Sequence, residues 1–406
     1  MVRRKGLIVV AAVVVALGSA AAPASAAIPD GTKFYTPPPN PGAIAQIDQL
    51  AAAGQRDLAK KVREMIKTPQ AVWKTSGSGK ELTRSVRADM RRAERTRTMP
   101  VFVAYNVPFR DCGAYSAGGA RSVAEYKAWI DAFAAGIGRQ RAAVMLEPDG
   151  LGIIPWHTDI NGNLEWCQPA EADPATAEAD RFEMLNYAVD RFKALGHTRV
   201  YLDGTHNGWL SAGDAASRLV SAGVLRADGF FLNVSNYEPT PKLLKYGNWV
   251  AKCVYYGTHG GQFSECASQY YPADPNDFST WGLSDAWYDA NVGTVSPDDL
   301  PHFVADTSRN GQGAWTPPAG NGWPDPQTWC NPPDRGLGLR PTTRTGDPLA
   351  DAFLWIKIPG ESDGQCDRGT GTGLDPARGN TADPAAGSWF PQQVIELVQL
   401  ANPPLR

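Results

Sequence analysis

Six apolar runs in this sequence each lead to a carboxylate or a side-chain amide. PVFVAYN, residues 100–106, leads to Arg110-Asp111, and residues 142–147 end on Glu147-Pro148-Asp149. Residues 198–203 close on Asp203-Gly204-Thr205-His206, and residues 229–235 carry Asn233 with Asn236 just beyond. Residues 302–307 contain Asp306, with Arg309 after it, and residues 352–358 precede Glu361-Ser362-Asp363. One such Asp is more often a helix cap than a reactive group. The set as a whole points to a carboxylate-lined cleft. No Ser or Cys sits in a nucleophile-elbow context, and no H-E-x-x-H or cysteine cluster offers a transition-metal site. Magnesium or calcium held by the aspartates is the metal alternative; no metal and no cofactor is expected. Paired carboxyls without a metal suit hydrolysis of a glycosidic bond, in which one carboxyl stays protonated for the leaving oxygen while another assists the attack. Neighbouring negative charge raises the pKa of the donor.

The elements needed to position these groups follow from periodicity. Residues 41–66 predict a helix, with Ile44, Ile47, Leu50, Ala51 and Leu58 near a 3.6 period. Ser122-x-x-Glu125 is a capping box opening a helix to about Ile137. Glu178–Leu195 is a helix closed by Gly196, and Gly213–Ala222 is another. The apolar runs are short enough for strands. Strands alternating with helices imply βαβ units and a parallel sheet, doubly wound or closed into a barrel. In a barrel, the strand ends that carry the acids are where active sites lie. No Gly-rich phosphate loop follows a strand, which removes support for nucleotide binding. Residues 253–300 and 364–388 predict long loops, and loops of that length are usually functional or disordered.

Composition narrows the compartment and the ligand. Arg3, Arg4 and Lys5 precede the apolar run Leu7–Leu17, and Ala24-Ser25-Ala26 offers a small-residue cleavage site. Residues 1–26 therefore read as an export signal, too short in its apolar run for a membrane span, and residues 27–406 as one secreted domain. Losing three basic residues takes the net charge from -3 to -6, which argues against nucleic acid or an anionic membrane as partner. Six cysteines in an exported chain are expected to pair, and spacing alone leaves the pairing open. Thirteen Trp is high for this length. Several lie among Gly, Pro and Asn, where an indole face is available to stack on a pyranose ring, although each alone is as readily a core residue.

The motifs resemble those of glycoside hydrolase family 6. They are Y-N-x-P-x-R-D-C-G from Tyr105, L-E-P-D-G-L from Leu146, Y-L-D-G-T-H-x-G-W from Tyr201, L-N-V-S-N-Y from Leu232, D-T-S-R-N-G from Asp306, W-C-N-P from Trp329 and K-I-P-G-E-S-D-G from Lys357. They are ordered and spread over roughly residues 70–400. The resemblance implies a single-domain, distorted seven-stranded parallel α/β barrel and an inverting cellulase acting on β-1,4-glucan, with a monomer as the expected state. Carried over by motif, Asp149 is the general acid and Asp111 the neighbour that raises its pKa. Asp363 matches the aspartate proposed as catalytic base, a role that is debated because water can relay the proton. Asp203 matches a structural aspartate, and Arg110 and Arg309 support the site. Tyr105 crowds the sugar at the cleavage point, Trp73 and Trp329 stack on the non-reducing side and Trp209 beyond the cut. His206, Asn233, Lys357 and Glu361 line the cleft.

One position departs from the pattern. Relatives often place a serine six residues after the aspartate matching Asp111; here that residue is Ala117, with Ser116 before it. The resemblance also implies the pairs Cys112–Cys167 and Cys330–Cys366, leaving Cys253 with Cys266. Long segments after Asp363 and over 253–300 resemble those that roof chain-end-cutting members, whereas the short segment CGAYSAGGA after Asp111 resembles open-cleft endoglucanases. A cellobiohydrolase is the favoured expectation, an endoglucanase the alternative. A non-catalytic glucan-binding protein is the remote one, since Asp111, Asp149 and Asp363 are all present.

Overall fold

The computed structural model describes residues 28–405, so the expected export signal lies outside the described residues. Seven strands follow one another across one sheet in chain order, every neighbouring pair parallel. They are β1 (Val72–Lys74), β2 (Val101–Ala104), β3 (Ala142–Leu146), β4 (Thr198–Asp203), β5 (Gly229–Leu232), β6 (His302–Asp306) and β7 (Ala350–Leu354). The helices are α1 (Pro41–Ala52), α2 (Arg56–Lys67), α3 (Gly79–Thr96), α4 (Val123–Ile137), α5 (Ala177–Lys193), α6 (Ala212–Ser221), α7 (Thr240–Thr258), α8 (Gly282–Asn291) and α9 (Pro391–Gln399).

Strand alternation builds two apolar layers. Val101, Val103, Ala143, Met145, Tyr201, Phe231, Val304, Ala352 and Leu354 point inward and pack into one buried cluster. Their neighbours Phe102, Val144, Leu146, Leu202, Phe230 and Phe303 face the helices, among them Phe133, Leu185, Leu219 and Trp249. One cluster fed by most of the strands requires the sheet to curl on itself. β1 and β7 do not pair as strands; the Ala71 N–H donates to the Trp355 carbonyl at 2.9 Å, and the Trp73 indole to the Ile356 carbonyl at 2.8 Å. α1, α2 and α9 cover this seam through Ile47, Val62, Met65, Trp355 and Leu397. The result is the expected seven-stranded parallel architecture, curled into an incompletely closed barrel.

The single helix predicted over 41–66 is two, broken where Gly54 takes a φ of +79°. The capping box at Ser122 is half made: its hydroxyl accepts the Glu125 N–H at 3.2 Å, while the Glu125 carboxylate turns to the Arg121 N–H and guanidinium. The stretch 253–300 is less of a loop than expected, since α7 runs to Thr258 and α8 lies inside it. Residues 364–388 hold only one short 3-10 turn. All six cysteines pair, as Cys112–Cys167, Cys253–Cys266 and Cys330–Cys366. Each crosslink restricts the unfolded chain by roughly 2–4 kcal/mol. No helix among the described residues is long and apolar enough to cross a membrane.

Candidate active site

The C-terminal ends of the strands carry backbone that ordinary residues avoid. Asp111, Cys112, Glu147, Asp149, Thr205 and Asn233 all have left-handed φ values, between +47° and +70°. Such residues cost about 1–3 kcal/mol each and persist only where surrounding contacts hold them. Their gathering at one end of the barrel marks where the chain accepts strain to aim side chains.

Asp149 sits at the centre. Burial raises its carboxyl pKa well above the usual range, the charges of Asp203, Asp111 and Asp363 add to that, and Lys357 opposes it. Asp111 stands on the loop after β2, where its carboxylate accepts the Ser116 N–H at 2.7 Å. Burial raises its pKa too, against that bond and the charge of Arg110. Arg110 fixes this loop by donating to the carbonyls of Thr75, Tyr105, Ser116 and Ala117. The Ala117 departure thus has a structural counterpart: the backbone of residue 116 engages Asp111. Asp203, at the end of β4, accepts the Thr205 N–H at 2.9 Å, and burial brings its pKa up to about 6.

Asp363 is in the opposite electrostatic condition. One oxygen accepts from Arg309 at 2.8 Å, the Asn331 N–H at 3.0 Å and the Tyr237 hydroxyl at 3.1 Å. Lys357 Nζ lies 3.1 Å from the other oxygen, as an ion pair without hydrogen-bond alignment. Burial works to raise its pKa, but Arg309, Lys357 and these bonds hold it at about 2. The site therefore pairs one carboxyl whose pKa is raised with one whose pKa is lowered. That is the division of labour acid-assisted cleavage requires.

Aromatic groups flank the acids. The Tyr105 ring meets Trp73 edge-on at 5.5 Å and carries the Arg110 guanidinium at 4.6 Å. Trp73 and Glu361, with Trp389, line a hollow of about 410 Å³ beside the β1–β7 seam. Burial raises the Glu361 pKa, against Lys357 and a bond from Asn40. Trp329 is 38% exposed and meets Tyr115 at 5.9 Å. On the other side, Trp209 packs over Gly152, which has no room for a Cβ, and lies 6.0 Å from His206. Burial lowers the His206 pKa, against the charge of Glu238. A larger hollow, about 910 Å³, is lined by Met99, Pro100, Arg141 and His197, which precede the strands; it lies at the opposite end from the acids.

Asn233 is placed differently from the other expected cleft residues. It is 1% exposed, and its amide is spent between the Asp306 carbonyl and the Glu238 N–H, so it supports the strand ends. Conversely, Tyr237, Asn331, Glu147 and Arg181 hold the acids or their loops in place and are not among the expected site residues. Tyr237, Glu147 and Asn331 lie inside quoted motifs, while Arg181 reaches the site only through the fold.

The family model described as glycosyl hydrolases family 6 matches residues 29–401. Endoglucanase 1 of Streptomyces halstedii is 35% identical, over 85% of this chain and 82% of its own. A probable 1,4-beta-D-glucan cellobiohydrolase C of Aspergillus fumigatus is 31% identical, over 90% and 76%. An endoglucanase of Mycobacterium tuberculosis, solved with a methyl-cellobiosyl-thio-cellobioside, superposes with a TM-score of 0.64 at 32% identity, covering 92% of this chain and 98% of its own.

Proposed function

Because the chain belongs to glycosyl hydrolase family 6, we propose that it is a secreted, inverting cellulase that cuts β-1,4-glucosidic bonds, releasing cellobiose from chain ends. The observation that carries the reading is the gathering of Asp111, Asp149 and Asp363 at the strand ends, with the Asp149 pKa raised by burial and its acidic neighbours and the Asp363 pKa lowered by Arg309 and Lys357, and with Trp73, Trp329 and Trp209 nearby.

In this mechanism the glucan lies across the strand ends, with sugar faces on the indoles and the scissile oxygen at Asp149. Asp149 donates its proton to the leaving oxygen as the bond breaks, and positive charge grows on the ring carbon and oxygen. Asp363 keeps its negative charge toward that centre. With its proton affinity so depressed by Arg309 and Lys357, it is a weak base. The attacking water's proton then leaves through a water relay, with Asp363 acting as electrostatic support. Asp111 holds the proton on Asp149 before reaction.

Chain-end action is supported by the loop carrying Asp111. Short as it is, it reaches the segment after Asp363. Gly364, at a φ of +151°, has no room for a Cβ against Tyr115, and the Tyr115 hydroxyl meets Asp367 and Gln327 at 3.4 and 3.5 Å. That contact joins the loop carrying Asp111 to the segment after Asp363, which supports a covered groove. The competing reading, an open-cleft endoglucanase, is favoured by the shortness of the loop and by the endoglucanases among the relatives.

Product analysis separates the two. Cellobiose as the dominant early product from amorphous cellulose, with little loss of carboxymethylcellulose viscosity, is expected. A rapid viscosity fall with mixed oligomers would replace chain-end cutting by internal cutting.

A further inference from the structure

Two buried side chains outside the reacting set tie together the loops that carry Asp111 and Asp149. Glu147, fully buried at the end of β3, accepts the N–H groups of Asn106 at 2.7 Å and Val107 at 3.1 Å with one oxygen. Those two amides open the loop that leads to Asp111. Arg181, 2% exposed on α5, donates to the Pro108 carbonyl at 3.0 Å in that same loop. Its other bonds go to the Gly150 and Ile153 carbonyls, at 2.6 and 2.8 Å, in the loop that carries Asp149. Arg181 and the Tyr126 hydroxyl stabilise the Glu147 charge, against burial. The other Glu147 oxygen has no aligned partner among the described residues.

Strand pairing does not account for this arrangement. β2 and β3 pair only as far as Ala104 and Leu146, and Glu147 and Asp149 beyond it have left-handed φ values of +56° and +62°. Past the last rung, the separation of the two acids depends on side chains. We propose that Glu147 and Arg181 form a clasp of positioning residues that fixes the spacing of the loops carrying Asp111 and Asp149. The proposal rests on Asp149 being the general acid. The charged and titratable groups around Asp149 are Asp203, Asp111, Lys357 and Asp363, with Tyr105 beside it. Those around Glu147 are Tyr126, Arg181 and Tyr105.

The test is the pH profile of kcat/KM on a soluble cello-oligosaccharide for wild type, Glu147→Ala, Glu147→Gln and Arg181→Lys. An alkaline limb that Glu147→Gln retains belongs to the acid and not to Glu147, itself raised to about 7; absence of a limb in the wild type would count against the mechanism and leave the clasp without a role. In Glu147→Ala the loops separate, so kcat should fall by about 100-fold, the size of effect that about 1 Å of misplacement produces. KM should change little, and the alkaline limb should move to lower pH. Glu147→Gln keeps an oxygen that can accept both N–H groups and should recover most of the loss. A folded Glu147→Ala protein with the wild-type limb and kcat overturns the clasp, as does a Glu147→Gln protein as impaired as Glu147→Ala. Should Glu147→Ala not fold, Arg181→Lys carries the test. A lysine offers a single nitrogen on a shorter stem where Arg181 reaches the two loops with two separate nitrogens, so the limb should again fall, and an unmoved limb overturns the proposal.

Discussion

Asp149 and Asp363 are chemically identical side chains that end at opposite extremes because of their neighbours. Asp149 has carboxylates around it and one cation, Lys357; Asp363 has Arg309, Lys357, a tyrosine hydroxyl and a backbone N–H. The sign of the surrounding charge decides which keeps a proton. It follows that Asp111→Asn, by removing one negative neighbour, should let Asp149 ionise at lower pH. The alkaline limb of kcat/KM should then move down in pH, since that limb reports the free enzyme's acid; a limb that stays put would assign the tuning to burial and Asp203 alone. The acids were legible in the sequence because each follows an apolar run, and their roles came from the motif resemblance. Of the groups that set their pKa values, Asp111, Asp203, Arg309 and Lys357 came with the motifs, while the Asn331 backbone did not. Asn331 is 32 residues from Asp363 and meets it only through the fold. Asn233 was misplaced for a related reason: sequence puts an amide at a strand end but cannot say whether that amide faces the groove or is consumed beneath it.

At the scale of elements, β4 and α4 were readable to within a residue, because their apolar periods and caps coincide. α7 was not. Glycine is a poor helix former, yet α7 contains Gly247 packed against the Phe303 ring and Gly257 packed against Phe263. Tertiary contact supports a helix of 19 residues, whose last turn and a half, residues 253–258, falls in the stretch expected to be loop. The clasp illustrates the same limit from the side of function. α5 was visible as a helix, but nothing local distinguishes Arg181 as the residue that reaches inward to two catalytic loops.

Across the whole molecule, the burial that makes the site also makes stability depend on pH. Burial raises Glu147 to about 7, and Asp203 and Asp383 to about 6, above their values in an unfolded chain. His302, hydrogen-bonded to Asp351, is also raised. Each binds protons more tightly when folded, so the stability it contributes is full below the unfolded value and is lost as pH rises through the folded value. Asp363, held at about 2, has the opposite sign, but its contribution is lost only in strong acid. The melting temperature should therefore fall from about pH 5 to about pH 8. A flat or rising curve would mean that these carboxyls are less buried than the fold places them.

The most direct test of the central claim, that Asp149 delivers the proton, compares leaving groups in Asp149→Ala. Cellotetraose must expel a sugar alkoxide and needs an acid, whereas a dinitrophenyl cellobioside expels a stable phenolate and does not. The account predicts a loss of about 10²–10⁴-fold on cellotetraose, the range that general acid catalysis supplies, with little loss on the aryl glycoside. Equal losses on both substrates, or none on cellotetraose, would contradict it.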